Sequence, residues 1–228
     1  MLSNIVKQIP NTMTCGNLLC GSIAIVMALN GDLVTAAWLM VVAALLDFGD
    51  GFVARLVHAS GPFGKELDSL ADMVTFGLLP GILVFKLAQG LDMGVWSYGA
   101  FLITVLSAIR LANFNIDTRQ ADGFIGVPTP ANSLMIASFP FMSHYQPDLT
   151  PYWYNPYVLT GITLFAFMLV AELPLLALKF KTFSWQANKI KYVFLILSAL
   201  LLLILRFAAL PLIIGLYVVL SMSERVKE

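Results

Sequence analysis

Between Met13 and Met222 the chain returns repeatedly to apolar stretches of about 20 residues, the length an α-helix needs to cross the hydrocarbon core of a bilayer. Lipid offers no partners to unpaired backbone groups, so such stretches can fold only as helices packed into a bundle. Composition agrees: 59% of the 228 residues are hydrophobic and 11% are charged, where a soluble domain carries about 25% charged residues. The expected fold is all-α, a polytopic membrane helical bundle. Thirteen cationic residues balance 13 acids, leaving no net field to attract nucleic acid, and none is expected as a partner.

The hydropathy pattern predicts eight spans, from Met13 to Asn30, Val34 to Leu56, Leu67 to Ala88, Met93 to Asn115, Pro130 to His144, Tyr157 to Leu178, Ile190 to Leu205 and Phe207 to Met222. The last two read equally as one bent hydrophobic hairpin. No linker or compositional shift divides the chain, so residues 1–228 are expected to form a single domain. Within it, residues 1–12 read as an interfacial amphipathic segment, 13–178 as the core and 190–222 as an additional helical hairpin. Leu2, Ile5, Val6 and Ile9 share one helical face, and Pro10 is expected to redirect the chain into the first span. The opening residues lack a signal peptide's apolar core and cleavage site, so no removal is expected. Cys15 and Cys20 lie five apart in one apolar segment, on different helical faces, and read as free packing residues.

Loops rich in Lys and Arg stay cytoplasmic. With eight spans, Lys7, Arg55, Lys65, Arg110, Arg119, Lys179, Lys181, Lys189, Lys191, Arg225 and Lys227 gather on one side, and only Lys86 and Arg206 fall toward the other. Both termini are therefore expected in the cytoplasm, with Asp32, Asp92 and Asp148 marking the outer loops.

Against this apolar background, Asp47, Asp50, Asp68 and Asp72 are concentrated in two consecutive spans. A carboxylate at depth costs about 2.5 to 3.5 kcal/mol on insertion scales, so four require compensation. Asp47 and Asp50 are three apart, with Gly51 and Ala54 continuing their face; Gly64, Asp68 and Asp72 step by four on the next helix. The Ser60-Gly61-Pro62 turn makes the two helices antiparallel neighbours, which brings the four carboxylates together at the cytoplasmic end. Asp47 lies about 20 Å along its helix from Val34, which places it in the inner leaflet. All-oxygen ligation favours Mg²⁺ or Mn²⁺, with room for two ions. Salt bridges to Arg55 and Lys65 are the competing explanation, although two cations do not satisfy four buried anions. Gly51, Ala54 and Gly64 leave space beside the acids for a bulky phosphate-bearing ligand, or else let two helices pack closely. A cation transporter is the reading from a different class, but it calls for acids at the midplane rather than at one end.

The pattern Asp47-x-x-Asp50-Gly51-x-x-Ala54-Arg55, eight residues, then Gly64-x-x-x-Asp68-x-x-x-Asp72 resembles the CDP-alcohol phosphotransferase signature at every position. The resemblance implies a homodimeric membrane enzyme with a six-helix catalytic core and a bound metal pair. Asp47, Asp50, Asp68 and Asp72 would ligate the metals, Asp72 would also act as general base, and Gly51, Ala54, Arg55 and Gly64 would line the CDP site. The likeness continues through Ile9-Pro10-Asn11-x-x-Thr14-x-x-Asn17-Leu18-x-x-Gly21, Phe63 to Asp72, Arg110 to Asn115 and Gly126 to Ala131, which resemble the bacterial phosphatidylserine synthases within that family. It implies CDP-diacylglycerol and L-serine as substrates, with the active site facing the cytosol.

Asn11, Thr14 and Asn17 supply polar groups at the level of the acids, either to the CDP-lipid or as helix caps. Arg110 in the fourth span should face a cavity unless it snorkels. With Asn113 and Asn115 it offers one cation and polar acceptors, the balance a zwitterion such as serine needs. Glycerol 3-phosphate, a dianion, calls for a second cation, for which Arg119 is the nearby candidate; an inositol compound is the other alternative acceptor. His58 and His144 read as interfacial. Glu172 stands in the sixth span just before Pro174, where the kink of a proline accounts for local polar contacts as well as an ion path does.

Overall fold

The computed structural model describes residues 7–59, 61–117, 124–175 and 184–225. Its longer helices are α1 (Ile9–Leu29), α2 (Leu33–Leu56), α3 (Pro62–Gly90), α4 (Gly94–Ile116), α5 (Thr129–Tyr145), α6 (Pro156–Leu169), α7 (Lys189–Leu205) and α8 (Ala209–Arg225). Strands β1 (Phe124–Ile125) and β2 (Pro174–Leu175) form one antiparallel pair. Among the described residues, five apolar helical segments are long enough to cross a membrane: α1, α2, α3, α4 and the broken stretch Lys189–Met222 that holds α7 and α8. The protein is therefore an all-α polytopic membrane protein in its architecture.

Pro10 sits in the first turn of α1, where its missing N–H would have had no partner in any case. Residues 1–6 of the amphipathic segment and Ser60 of the turn lie outside the described residues. The sixth span does not run to Leu178: helix geometry stops at Leu169, and the chain turns into β2 at Pro174. Pro174 forces the residue before it away from helical geometry, so Glu172 lies outside any helix. The terminal apolar run breaks at Arg206, between the two expected segments, and the φ of Arg206 is 52°. Phe194 and Tyr217 meet across the break with ring centroids 5.6 Å apart, so α7 and α8 fold back on each other as a hairpin.

α1 buries Pro10, Thr14, Asn17, Gly21, Ala24 and Ala28, a stripe at helical spacing and mostly of small side chains. Ala36, Ala37, Met40 and Ala43 of α2 are buried in return, as small residues allow two backbones to approach. Cys15 and Cys20 are free, as expected, but Cys15 is exposed and Cys20 half-buried, so they lie off that stripe. The α1–α2 turn uses Gly31 at φ 93°, and Asp32 caps α2 by accepting from the Thr35 amide at 3.0 Å. Hydrogen bonds from Thr35 hold the Asp32 carboxyl below its usual pKa.

Directly after Asp72, α3 widens into a π-helix over Met73–Leu78. Hydroxyl groups of neighbouring helices bond to carbonyls in this widened turn: Ser133 donates to the Phe76 oxygen at 2.7 Å and Thr104 to the Gly77 oxygen at 3.2 Å. Thr75 reaches the other way and donates to the Asn17 carbonyl of α1 at 3.3 Å. These bonds tie α3 to α1, α4 and α5 just beyond the acids. At the opposite end Trp38 donates to the Tyr145 hydroxyl at 3.2 Å, and Gln146 donates to the Leu205 carbonyl at 2.9 Å while accepting from the Phe207 amide at 3.1 Å. That clamp fixes the α7–α8 turn to the end of α5.

Gly126 joins β1 to α5 at φ 76°, and a Cβ there would strike the Leu169 carbonyl oxygen and lie 3.1 Å from that of Ala171. Neither backbone atom can swing away. Gly126→Ala should therefore lower the midpoint of thermal unfolding in detergent by about 5 °C or more. An unchanged midpoint would mean that the junction relaxes without strain.

Candidate active site

The antiparallel arrangement of α2 and α3 brings the acids together where α2 ends and α3 begins. Carboxylate oxygens of Asp47, Asp50 and Asp68 all lie within 4.8 Å of one another. Asp72, one turn beyond Asp68, is buried and interacts directly with Asp47. α1 supplies the polar wall. Thr14 donates to Asp50 Oδ2, and Asn17 Nδ2 donates to Asp72 Oδ1 at 3.4 Å. Neither residue is a cap, since α1 begins at Ile9 behind Gln8.

Beside the acids opens a cavity of about 210 Å³, lined by Asn11, Thr14, Asp50, Gly51, Ala54 and Gly64 among others. Its small residues do not share one explanation. Gly51 faces open space, for a Cβ there would meet no atom of the chain within 4 Å, whereas a Cβ on Gly64 would lie 3.3 Å from Asn11 Oδ1. Close helix packing thus accounts for Gly64 but not for Gly51. Arg55 is exposed at the end of α2 and is not among the cavity's lining residues.

The residues fit a divalent cation. Their donors are all carboxylate oxygens, the set that hard ions prefer, and Asp68 Oδ1 is buried without a hydrogen-bond partner. Salt bridging does not take its place: Lys65 lines the cavity but donates to the Asn115 carbonyl oxygen at 2.8 Å.

The three residues expected to hold an acceptor separate into two groups. Arg110 and Asn113 line a second cavity of about 380 Å³, between the end of α4 and the chain that follows α6. Arg110 is 5% exposed, its Nε has no hydrogen-bond partner, and its guanidinium lies 5.1 Å from the Phe114 ring centroid. It does not snorkel. Asn115 instead points to α3, donating to Ser69 Oγ at 2.8 Å, because it stands five residues from Arg110 and so on another face of α4. Arg119 lies outside the described residues. Sequence reasoning took Lys65 only as a salt-bridge candidate and passed over Ser69, the two residues that fasten α4 to α3, and it passed over Asp117, which lines the larger cavity. Lys65 had a signal, being adjacent to Gly64 and one turn before Ser69. His58 and His144 are exposed and line neither cavity.

Comparison with known proteins follows the same residues. A CDP-diacylglycerol--serine O-phosphatidyltransferase of Helicobacter pylori is 38% identical over 130 residues, 56% of this chain and 54% of that protein. The enzyme of the same name from Bacillus subtilis is 35% identical over 137 residues, 59% of this chain and 77% of that one. An archaetidylserine synthase of Methanothermobacter thermautotrophicus is 33% identical over 143 residues, 60% of each. The match thus spans about half the length of the Helicobacter relative. The CDP-alcohol phosphatidyltransferase family pattern matches residues 7–157, which take in α1 to α5 and therefore all four acids and the cavity beside them. By that match this chain belongs to the CDP-alcohol phosphatidyltransferase family.

Proposed function

We propose that the protein transfers the phosphatidyl group of CDP-diacylglycerol to the hydroxyl of L-serine, forming phosphatidylserine and releasing CMP. The observation that carries this reading is the convergence of Asp47, Asp50 and Asp68 beside a cavity floored by open Gly51, in a chain whose relatives bear serine-transferase names. Asp47, Asp50, Asp68 and Asp72 would hold Mg²⁺ or Mn²⁺, two ions in the full reading. When bound, such ions neutralise the pyrophosphate and the charge developing on CMP. Gly51, Ala54 and Gly64 give the CDP moiety room, with Asn11 and Thr14 as polar contacts. Asn17 orients Asp72. Arg55, at the end of α2, is assigned to a phosphate oxygen of the same substrate. Asp72 takes the proton as the serine oxygen bonds to the lipid-side phosphorus and the bond to CMP breaks.

The cytoplasmic side is part of the same proposal. Lys7, Arg55 and Lys65 stand at the acid end of the bundle, while Lys86 and Arg206 stand near the other. Cations favour the inner face, and there the lipid phosphate reaches the acids without leaving the bilayer. A homodimer with eight spans and both termini inside completes the reading. Labelling of a C-terminal tag from outside intact cells would overturn that orientation.

Purified protein given CDP-diacylglycerol should release CMP with serine well above the hydrolytic background, and not with glycerol 3-phosphate or inositol. Arg110→Lys should raise the serine KM about tenfold while changing kcat less, since a point charge cannot replace a two-pronged grip on a carboxylate. Turnover with glycerol 3-phosphate and none with serine would overturn the acceptor while leaving the transfer chemistry in place.

A further inference from the structure

α1 and α3 run side by side in the same direction from the acid end, and two pairs of residues one turn apart bring them together: Asn17 with Asp72, and Gly21 with Thr75. The second pair fixes the spacing through the backbone. A Cβ on Gly21 would strike the Thr75 hydroxyl and lie 3.0 Å from the Thr75 Cβ and 3.1 Å from its Cα. The hydroxyl can turn away, but the Cα cannot. Gly16, the other glycine of α1, would meet only the end of the Leu46 side chain, at 3.2 Å. In a helix each side chain leans toward the N-terminus and covers the turn before its own. At position 21 that turn carries the Asn17 carbonyl. Glycine leaves it uncovered, and the hydroxyl of Thr75, fully buried, donates to it at 3.3 Å.

We infer that Gly21 and Thr75 are a positioning pair for the site: they set how closely α1 approaches α3 and thereby hold Asn17 against Asp72. The inference rests on the transfer reaction proposed above and adds two residues outside the acid cluster that govern its rate. Little else aims Asn17. Its Nδ2 bond to Asp72 Oδ1 is 3.4 Å long, and its Oδ1 is buried with no hydrogen-bond partner. The direction of that amide therefore follows from the place of the Asn17 backbone, which the Thr75 hydroxyl grips through the carbonyl of the same residue. A bond of 3.4 Å is already at the end of the useful range, so moving α1 outward by about 0.5 Å removes it. The cavity beside Gly51 is less exposed to such a shift, because Thr14 and Asn11 line it about two and three turns away from Gly21. The disturbance thus falls on Asp72 before it falls on the CDP-lipid. A pure packing role for Gly21 predicts otherwise, namely lower stability with an unchanged kcat in the protein that folds.

The test is a mutant cycle on the full-length protein in detergent, read as kcat and as the KM for CDP-diacylglycerol with serine as acceptor. Gly21→Ala should lower kcat at least about tenfold and leave that KM within about threefold. Asn17→Ala should lower kcat by a similar factor, and Gly21→Ala added to it should cost no more than about twofold further, since the contact it disturbs is already gone. Thr75→Val keeps the shape and loses the hydroxyl, and should lower kcat about fivefold; Thr75→Ser keeps the hydroxyl and should restore kcat to within about twofold of wild type. Losses that multiply in the double variant would overturn the inference, as would wild-type kcat in folded Gly21→Ala or in Asn17→Ala. Should Gly21→Ala fail to fold, the same cycle run with Thr75→Val and Asn17→Ala decides. A structure of whichever variant folds gives a readout free of activity: Asn17 out of reach of Asp72 supports the inference, and the bond retained at its wild-type length overturns it. Absence of any serine-dependent CMP release in wild type is a separate result, which overturns the transfer reading and leaves the structure of the variant to judge the spacing.

Discussion

EDTA should abolish CMP release, and Mg²⁺ or Mn²⁺ added back should restore it; Asp47→Asn and Asp68→Asn should each stay at background whatever the ion concentration. Three carboxylates within 4.8 Å of one another, in an apolar bundle, repel strongly unless cations or protons come between them. Asp68 Oδ1 is buried with no donor in reach, so an ion is the partner that restores its lost solvation. Removing either carboxylate takes a ligand from a shared site, and the remaining acids then hold an ion in the wrong place or not at all. The same site predicts a readout independent of turnover. Wild type should gain thermal stability on titration with Mn²⁺, by about 2.7 kcal/mol at a hundredfold excess over Kd, and Asp68→Asn should gain little. Full activity in EDTA, or a wild-type response to Mn²⁺ in Asp68→Asn, would count decisively against the metal reading.

Asp72→Asn should lower kcat by about 10²-fold to 10⁴-fold while CDP-diacylglycerol binding stays within a few-fold of wild type. Asp72 differs from the other three acids in its setting. Its Oδ1 accepts from Asn17, it stands directly before the π-helix, and it is buried away from the cavity beside Gly51, whereas the equally buried Asp50 lines that cavity. The π-helix begins at the next residue and is bonded by Ser133 and Thr104, which fixes the direction in which Asp72 leaves α3. A carboxylate so held is suited to receiving a proton at a defined place. Asn keeps its shape and its contact with Asn17 but lacks a proton-accepting oxygen anion. A loss of CDP-lipid binding as large as the loss of kcat would make Asp72 chiefly a ligand.

The membrane character, the helices and the acid pairing were legible in the chain because each rests on a local rule. A stretch of about 20 apolar residues has one solution in lipid, and intervals of three and four put Asp47 with Asp50 and Asp68 with Asp72 on single faces. The tight turn near Gly61 and Pro62 then makes neighbours of the two faces without any knowledge of the rest. The ends of segments were less legible. Hydropathy carries the sixth span through Glu172 although Pro174 ends helical geometry before it. A window average cannot see that a single ring removes the helical option from its neighbour.

Sequence by itself therefore determined the solvent, the secondary structure and the residues that carry charge into the bundle, all of them consequences of composition and of periods shorter than two turns. Only the tertiary structure decided which small residue leaves space and which packs, since Gly51 and Gly64 look alike until one is found open and the other against Asn11. It also decided that Arg110 and Asn113 share a cavity while Asn115 fastens α4 to α3, and that Glu172 joins them from the far side. The π-turn after Asp72 was equally hidden, because the bonds to its carbonyls come from Thr104 and Ser133 on other helices. Periodicity places a residue on a face, but the partner of that face is set by how the helices pack, through contacts between residues dozens of positions apart.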